Sequence, residues 1–424
     1  MNYQFDLCVV GGAGHVGLPL SIAFAAERRR VLVYDLNPKA LAVIAQGRLP
    51  FLEDDAEPLL RQALADNRLT LTSDVARVAE AGAIVIVIGT PVDEFLNPSL
   101  KDITRCLDAL LPFLSDDQLL VLRSTVYPGV TQSVAQYLAS RRKQPKVSFC
   151  PERIVQGKAI RELMTLPQIV SGVTREAEDA AAVLFDWIAP EIVRLSTTEA
   201  EMVKLFSNAY RYIQFATTNQ FYLMARAAGV DYYRVLEGMK HHYPRLADVP
   251  RAGFAAGPCL FKDTMQLASF YKNQFSLGHA AMLVNESMPM FVVDQLASRY
   301  SLSEMTVGLL GMAFKADNDD PRSSLSYKLK KLLAFQAKEV LTTDPHVTTD
   351  PALLPLEEVI RRSGILILCV PHSAYRNLQL PGKVVVDIWN FWGDSQPVEA
   401  DSLDSRVTPA LARPENTVFL PADR

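Results

Sequence analysis

A chain of 424 residues, at roughly 100–200 residues per domain, makes two or three domains with cores of ordinary size, which excludes a small disulfide-stapled scaffold. With 49% hydrophobic and 21% charged residues, and only 20 Gly and 26 Pro, it is neither disordered nor collagen-like. The 43 basic and 47 acidic residues leave a net charge of -4, so there is no basic field for nucleic acid or anionic lipid, and an anionic ligand must be held by local chemistry.

The opening MNYQFDLCVVGG has no basic leader and a short apolar run ending in glycines, which reads as a first buried strand and not a signal peptide. The longest apolar stretches, AIVIVIG and ILILCV, are far short of the ~20 residues of a membrane helix, so a soluble, cytoplasmic protein is expected. The runs DLCVV, VLVYD, AIVIVIG, LLVLRS, KVSFCP and EIVRL alternate with helical patterns, the signature of a parallel sheet covered on both faces. From about Thr197 the pattern changes: Met202, Leu205, Phe206, Ala209, Ile213 and Ala216 fall on one stripe of a long helix, and helical character persists to about Tyr300. TVGLLG, EVLTTD, GILILCV and KVVVDI then restore the strand rhythm. The expected fold class is α/β, with two sheet domains, 1–196 and 301–424, joined by a helical segment, 197–300.

Directly after the first run, GAGHVG (Gly12–Gly17) supplies glycines at the three spacings of the dinucleotide fingerprint. Gly12 allows the tight turn, Gly14 lets the backbone approach a pyrophosphate, and Gly17 permits close helix–sheet packing, with a helix N-terminus facing the anion. Asp35, at the end of the next strand, would accept ribose hydroxyls and repel a 2′-phosphate, which favours NAD over its phosphorylated form. The bland alternative is a structural glycine turn. Arg28, Arg29 and Arg30 precede that strand and read as a solvated helix end.

Further along, Thr125 in STVYPG and Glu152 in CPER follow strands, where α/β enzymes place their chemistry; otherwise they are a turn hydroxyl and a surface carboxylate. On the long helix Lys204 and Asn208 are one turn apart and are placed, with Arg211, opposite the apolar stripe, as either a reactive or a solvated face. In GFAAGPCLFKD (Gly253–Asp263) a cysteine sits among small residues, with Lys262 and Asp263 three and four positions on. A cationic neighbour lowers a thiol pKa, and the thiolate attacks carbonyls; the alternative is an inert small hydrophobe, the reading given to Cys8, Cys150 and Cys369. The five cysteines are odd in number and never in CxxC spacing, so neither a disulfide framework nor a metal site is expected.

Taken together, GAGHVG, Tyr34–Asp35, GTP at Gly89–Pro91, STVYPG, CPER, EAEMVKLFSNAYR, GFAAGPCLFKD, GMAFKADNDDPRSS and TDPHV make the chain resemble the UDP-sugar 6-dehydrogenase family over nearly its whole length. The resemblance implies Rossmann-like NAD-binding and UDP-binding domains at the two ends and a helical, dimer-forming centre. It implies a four-electron oxidation of a sugar CH2OH to a carboxylate with two NAD. Carried over by motif, Cys259 would be the nucleophile, Lys204 and Asn208 would stabilise the oxygen at C6, Asp263 would assist with water, and Glu152 and Thr125 would complete the acid–base and water-binding groups. Gly12, Gly14, His15, Val16, Gly17, Asp35, Thr90, Thr125 and Lys262 would meet the cofactor, with Lys262 also favouring the thiolate. Glu152, Arg153, Lys204, Asn208, Arg245, Gly253, Phe254, Phe314 and Lys315 would meet the substrate, Arg245 reaching across a dimer.

Departures from the family pattern bear on the sugar. Ala255-Ala256-Gly257 replaces a glycine-rich approach to the cysteine, and PERIVQG puts Gln156 where glucose-specific members often carry a second carboxylate. CPER, HYPR (His242–Arg245) and VNESMP are similar to the N-acetylhexosamine branch, and LFKD to the glucose branch. A UDP-N-acetylhexosamine is expected, with UDP-glucose as the alternative. Two readings of other kinds are a non-catalytic NAD-binding sensor or scaffold, which would not need Cys259, Lys204, Asn208, Asp263 and Glu152 together, and a single-step hydroxyacid dehydrogenase, which would yield one NADH.

Overall fold

Residues 3–90, 101–255 and 257–393 are described by the computed structural model; Pro91 of the GTP landmark, Ala256 of the cysteine loop and the 394–424 end of the third expected domain lie outside them. The first sheet comprises β1 (Phe5–Val10), β2 (Val31–Tyr34), β3 (Leu69–Thr72), β4 (Ala81–Ile86), β5 (Leu119–Leu122), β6 (Lys146–Phe149), β7 (Gln168–Gly172) and β8 (Ile192–Arg194). Their order is β3-β2-β1-β4-β5-β6-β7-β8. Strands β1, β2, β4 and β5 are aliphatic and almost wholly buried, as central parallel strands covered on both faces must be. Strands β3 and β7 had no place in the expected rhythm. Strand β7 also runs antiparallel to β6, Ser148 opposite Gly172, so the sheet is not purely parallel. In the connection between them Glu53 accepts the Gly157 and Ala159 N–H groups. Without a crossover over the sheet face, the next strand can only run back.

The second sheet has β9 (Thr306–Leu310), β10 (Glu339–Thr343), β11 (Ile365–Leu368) and β12 (Val384–Val386) in the order β10-β9-β11-β12, all parallel. It repeats the core of the first. Gly11 (φ +80°) donates to Tyr34 O at 2.9 Å, and Gly311 (φ +95°) donates to Thr343 O at 2.9 Å. Ala13 N donates to Asp35 Oδ2, and Ala313 N to Asp344 Oδ2. The two acids differ in surroundings. Asp35 is half-buried, whereas the Asp344 side chain has no exposure and also receives Met312 N, His346 N, Val347 N and, at 3.1 Å, a ring nitrogen of buried His372. These donors hold its carboxyl well below the ordinary carboxylate range despite burial.

Between the sheets lie the Thr197–Ala227 helix, opened by a Ser196–Glu199 capping box, and the Tyr232–Lys240, Leu260–Phe270 and Ser276–Ala297 helices. The long helix buries Leu205, Ala209 and Ala216 of the expected stripe but turns Phe206 outward and brings polar residues onto the inward face. Leu205, Asn208, Ala209, Tyr212, Ala216 and Asn219 are buried, while Phe206 is 53% exposed. Asn208 therefore lies on the packed face, not opposite it. Polar residues are tolerated there because partners satisfy them: Asn219 holds Gly253 through both its N–H and its carbonyl, at 2.9 and 3.0 Å, and bonds Asn285. Among the described residues no helix is long and apolar enough to cross a membrane.

Candidate active site

The glycine turn is built where sterics demand it. A Cβ on Gly12 would lie 2.7 Å from Val9 O, and one on Gly17 would lie 2.5 Å from Gly11 O. At Gly14 the nearest neighbour would be Gly11 O at 3.6 Å, so the protein itself imposes no bar there and the openness serves a ligand. Val16 caps the following helix, Gly17–Ala26, without a side-chain bond. Asp35 uses one oxygen for Ala13 N and the other for Asn37 N. The neighbouring arginines are engaged away from it, Arg30 with Asp6 and Arg29 stacked 3.8 Å over Trp187. His15 packs 4.1 Å from Phe51; burial lowers its pKa, and its Nδ1 has no partner. This open turn with an acid at the next strand end fits NAD.

Cys259 immediately precedes the Leu260–Phe270 helix and is the exposed one of the five cysteines. Cys8, Cys106 and Cys150 are pushed up to about 12 by burial. Around Cys259, Asn208 Nδ2 donates to Asp263 Oδ2 at 2.5 Å, and Lys262 Nζ lies 3.0 Å from Asp263 Oδ1. That second contact has ion-pair distance without hydrogen-bond alignment, which leaves Asp263 Oδ1 without a hydrogen-bond partner in the core of the site. Lys262 Nζ also donates to Thr90 O, and Thr90 Oγ1 to Thr125 O at 2.6 Å, so the loops after β4 and β5 are tied to the cysteine's helix.

The thiol itself is raised, first by desolvation and then by Asp263; Lys204, Lys262 and Arg322 pull the other way without reversing it. Lys262 thus acts in the expected direction, toward the thiolate, but desolvation and Asp263 outweigh it. The rate of iodoacetamide labelling at Cys259 should therefore keep climbing above the ordinary thiol pKa of about 8.5. Lys262→Ala should move the inflection up and Asp263→Asn down, read by peptide mass spectrometry against pH. A plateau already reached at pH 7 would contradict the arrangement.

Glu152 lies just past β6 with its carboxylate fully engaged. Oε2 receives two nitrogens of the wholly buried Arg123, and Oε1 receives Arg153 N at 2.7 Å and Ile154 N at 2.9 Å. Four hydrogen bonds therefore hold the carboxylate in place. Arg123 also donates to Cys150 O and Gln168 Oε1 and lies 4.9 Å from the Phe185 ring, joining the ends of β5, β6 and β7. Arg153 turns its guanidinium to Pro167 O, and Phe254 is core, packed with Met288 and Val292, so neither side chain is presented as a free ligand group.

The second half closes over the cysteine loop. A Cβ on Gly253 would meet the Trp389 ring at 2.4 Å, and one on Gly257 (φ +114°) would meet the Phe314 ring at 2.6 Å. Lys315 Nζ donates to Gln156 O, and Leu52 N to Asp319 Oδ2 at 3.0 Å. Arg245 is exposed, on a short turn, and bonds Tyr243 OH at 3.2 Å, away from the cluster. Sequence reasoning missed Arg123 and Arg322. Neither lies in a local pattern that marks it; Arg322 forks onto Asp320 and its charge is felt at Cys259 across the two halves.

Known proteins share this layout. Three models of the UDP-glucose/GDP-mannose dehydrogenase family match: the NAD binding domain over residues 6–187, the central domain over 198–287 and the UDP binding domain over 308–394. The NDP-N-acetyl-D-galactosaminuronic acid dehydrogenase of Ralstonia nicotianae is 28% identical over 418 residues, 92% of this chain and 97% of that protein. The structure of the UDP-D-ManNAc dehydrogenase of Pyrococcus horikoshii superposes with a TM-score of 0.85 at 28% identity, covering 91% of this chain and 95% of that one. A UDP-glucose dehydrogenase from Pyrobaculum islandicum gives 0.84 at 27%, covering 91% and 94%. With NAD binding, central and UDP binding domains matched in that order along one chain, the protein belongs to the UDP-glucose/GDP-mannose dehydrogenase family.

Proposed function

We propose that this NAD-dependent nucleotide-sugar dehydrogenase oxidises the C6 hydroxymethyl group of a UDP-N-acetylhexosamine to the carboxylate, in two steps on Cys259. The observation that carries the reading is the convergence of an exposed cysteine with Lys204, Asn208 and Asp263 from two packed helices. The division at 1–196, 197–300 and 301–424 then places the cofactor, the catalytic helices and the UDP group.

NAD, when bound at Gly12–Gly17 and Asp35, accepts a hydride at each oxidation level. Asp263 Oδ1, without a hydrogen-bond partner beside the cysteine, takes the alcohol proton, and Lys204 with Asn208 stabilises the C6 oxygen. The Cys259 thiol then adds to the aldehyde, its proton passing to the carbonyl oxygen; once Asp263 has given the first proton to solvent it takes the hydroxyl proton as a second hydride leaves, giving a thioester, and water held near Thr125 cleaves this, returning one proton to the sulfur and losing the acid's proton to solvent. Glu152 positions the CPER loop through its bonds to Arg123 and two backbone N–H groups.

Relatives named for N-acetylated sugars, together with CPER and HYPR, support an N-acetylhexosamine. The Pyrobaculum structure and LFKD favour the second reading, UDP-glucose. A spectrophotometric assay over UDP-hexoses and UDP-N-acetylhexosamines should give two NADH per sugar, no free aldehyde, and faster turnover of an N-acetylated substrate. One NADH per sugar would place the protein among single-step dehydrogenases, and UDP-glucose far ahead of every N-acetylated sugar would overturn the preference.

The functional unit in this reading is a homodimer. Phe206, Tyr210, Phe221 and Met224 on the long helix, and Leu277 and Leu283 on the Ser276–Ala297 helix, are each more than 40% exposed, a concentration of apolar surface suited to a second copy. Arg245, clear of its own site, then serves the partner's substrate. Mixed dimers of Arg245→Ala and Cys259→Ala chains should regain one working site where either parent is impaired; failure to regain activity would count against action in trans.

A further inference from the structure

One cavity takes no part in this chemistry. It lies where the end of the Thr197–Ala227 helix, the end of the Ser276–Ala297 helix and strand β12 meet, and its volume is about 120 Å³. The long helix rises 1.5 Å per residue, so Tyr222 is about 21 Å along it from Asn208. The cavity is therefore remote from Cys259. Tyr222 and Arg226, one turn apart, line it from one helix, and Gln295 from the other helix with Arg299 from just beyond its C-terminal end.

The donors outnumber the acceptors that could neutralise them. Neither Arg226 nor Arg299 has a carboxylate within 4.0 Å among the described residues, and the hydroxyl of Tyr222 has no hydrogen-bond partner there. The acid in the lining, Asp387, is turned to its own loop: Oδ1 accepts Trp389 N at 3.0 Å and Oδ2 accepts Trp392 N at 3.1 Å. Two guanidinium forks, a phenol and an amide around a small open cavity match the oxygens of a phosphoryl group. The volume is of the order of the ~150 Å³ that accommodates benzene, enough for a phosphoryl group with the rest of its ligand outside. Tyr222, Phe291 and Tyr300 supply ring surface beside it.

We infer that Arg226 and Arg299 form a second anion site, which takes a phosphoryl group of a ligand other than the sugar nucleotide. Because the cavity is walled by both central helices and by the second sheet, its occupant bridges the helical centre and the UDP-binding half. The simpler role for these arginines is to neutralise the carbonyl ends of the two helices.

The test uses the full chain with UDP and NADH present to keep the probe off the catalytic site. Inorganic phosphate, pyrophosphate and ribose 5-phosphate are titrated by calorimetry into wild type and into an Arg226→Gln/Arg299→Gln variant checked for folding by circular dichroism. At least one probe should bind the wild type, and the variant should bind it at least about tenfold more weakly, as loss of charge-assisted bonds requires. Tighter binding of ribose 5-phosphate than phosphate identifies a phosphate monoester; the reverse order identifies the free ion. No binding up to about 10 mM probe, or equal binding to both proteins, overturns the site. If the double variant does not fold, Arg299→Gln alone, on the exposed side, should weaken binding severalfold, and an unchanged affinity overturns the proposal equally. A lower melting temperature with unchanged binding shows helix-end neutralisation only.

Discussion

Cys259→Ser should abolish net uronate formation while leaving NAD binding unchanged. The hydroxyl cannot be ionised at Cys259's position, where desolvation and Asp263 already push even the thiol up. A loss of about 10³-fold or more, roughly 4 kcal/mol of barrier, follows for the step that needs a covalent acyl carrier. Cys8, Cys106, Cys150 and Cys369 are too deeply placed or too weakly acidic to substitute. Single-turnover product analysis with separate NAD titration checks both halves of the statement. A near-normal yield of acid would remove the covalent mechanism.

The second large effect is on stability. Arg123→Met leaves Glu152 charged, buried and without its two guanidinium bonds, and frees Gln168 Oε1 and Cys150 O as well. Removing one partner of such a pair typically costs about 3–5 kcal/mol, far more than a surface ion pair. Arg123→Met/Glu152→Gln should recover most of that loss in chemical denaturation, because the uncompensated charge goes with the arginine. Its turnover should remain low if the carboxylate is needed to set the CPER loop. A single variant as stable as the wild type would show that water or a rearranged side chain replaces the guanidinium.

What was legible in the sequence was contiguous. The strand, glycine turn, helix and Asp35 lie within thirty-odd consecutive positions, and each is shaped by its immediate neighbours, so spacing sufficed. Strand β7 was not legible, and the segment before it is held by Glu53, a residue more than a hundred positions away. The short LTLT of β3 lies at the sheet edge with three of its four residues only partly buried, and no apolar run announces it. The inward face of the long helix was only half legible, because beside Leu205, Ala209 and Ala216 it carries Asn208, Tyr212 and Asn219, polar groups whose partners come from other elements. For the same reason Glu152 looked like a free acid until Arg123 was placed beside it.

The sealed carboxylate of Asp344 has a consequence for the order of events. Its twin, Asp35, remains open to a ribose, but the corresponding position in the second sheet is filled from within by His372 and the chain's own N–H groups. The described residues thus offer one dinucleotide seat per chain, although two oxidation levels separate alcohol from acid. On the two-step reading proposed above, the seat is vacated and refilled partway through each cycle, and during that interval the half-oxidised sugar is retained by something other than the cofactor. In that reading a covalent tether to Cys259 would do this, so the lifetime of the sulfur–carbon bond, set against the exchange rate of the cofactor, would decide whether an aldehyde ever escapes.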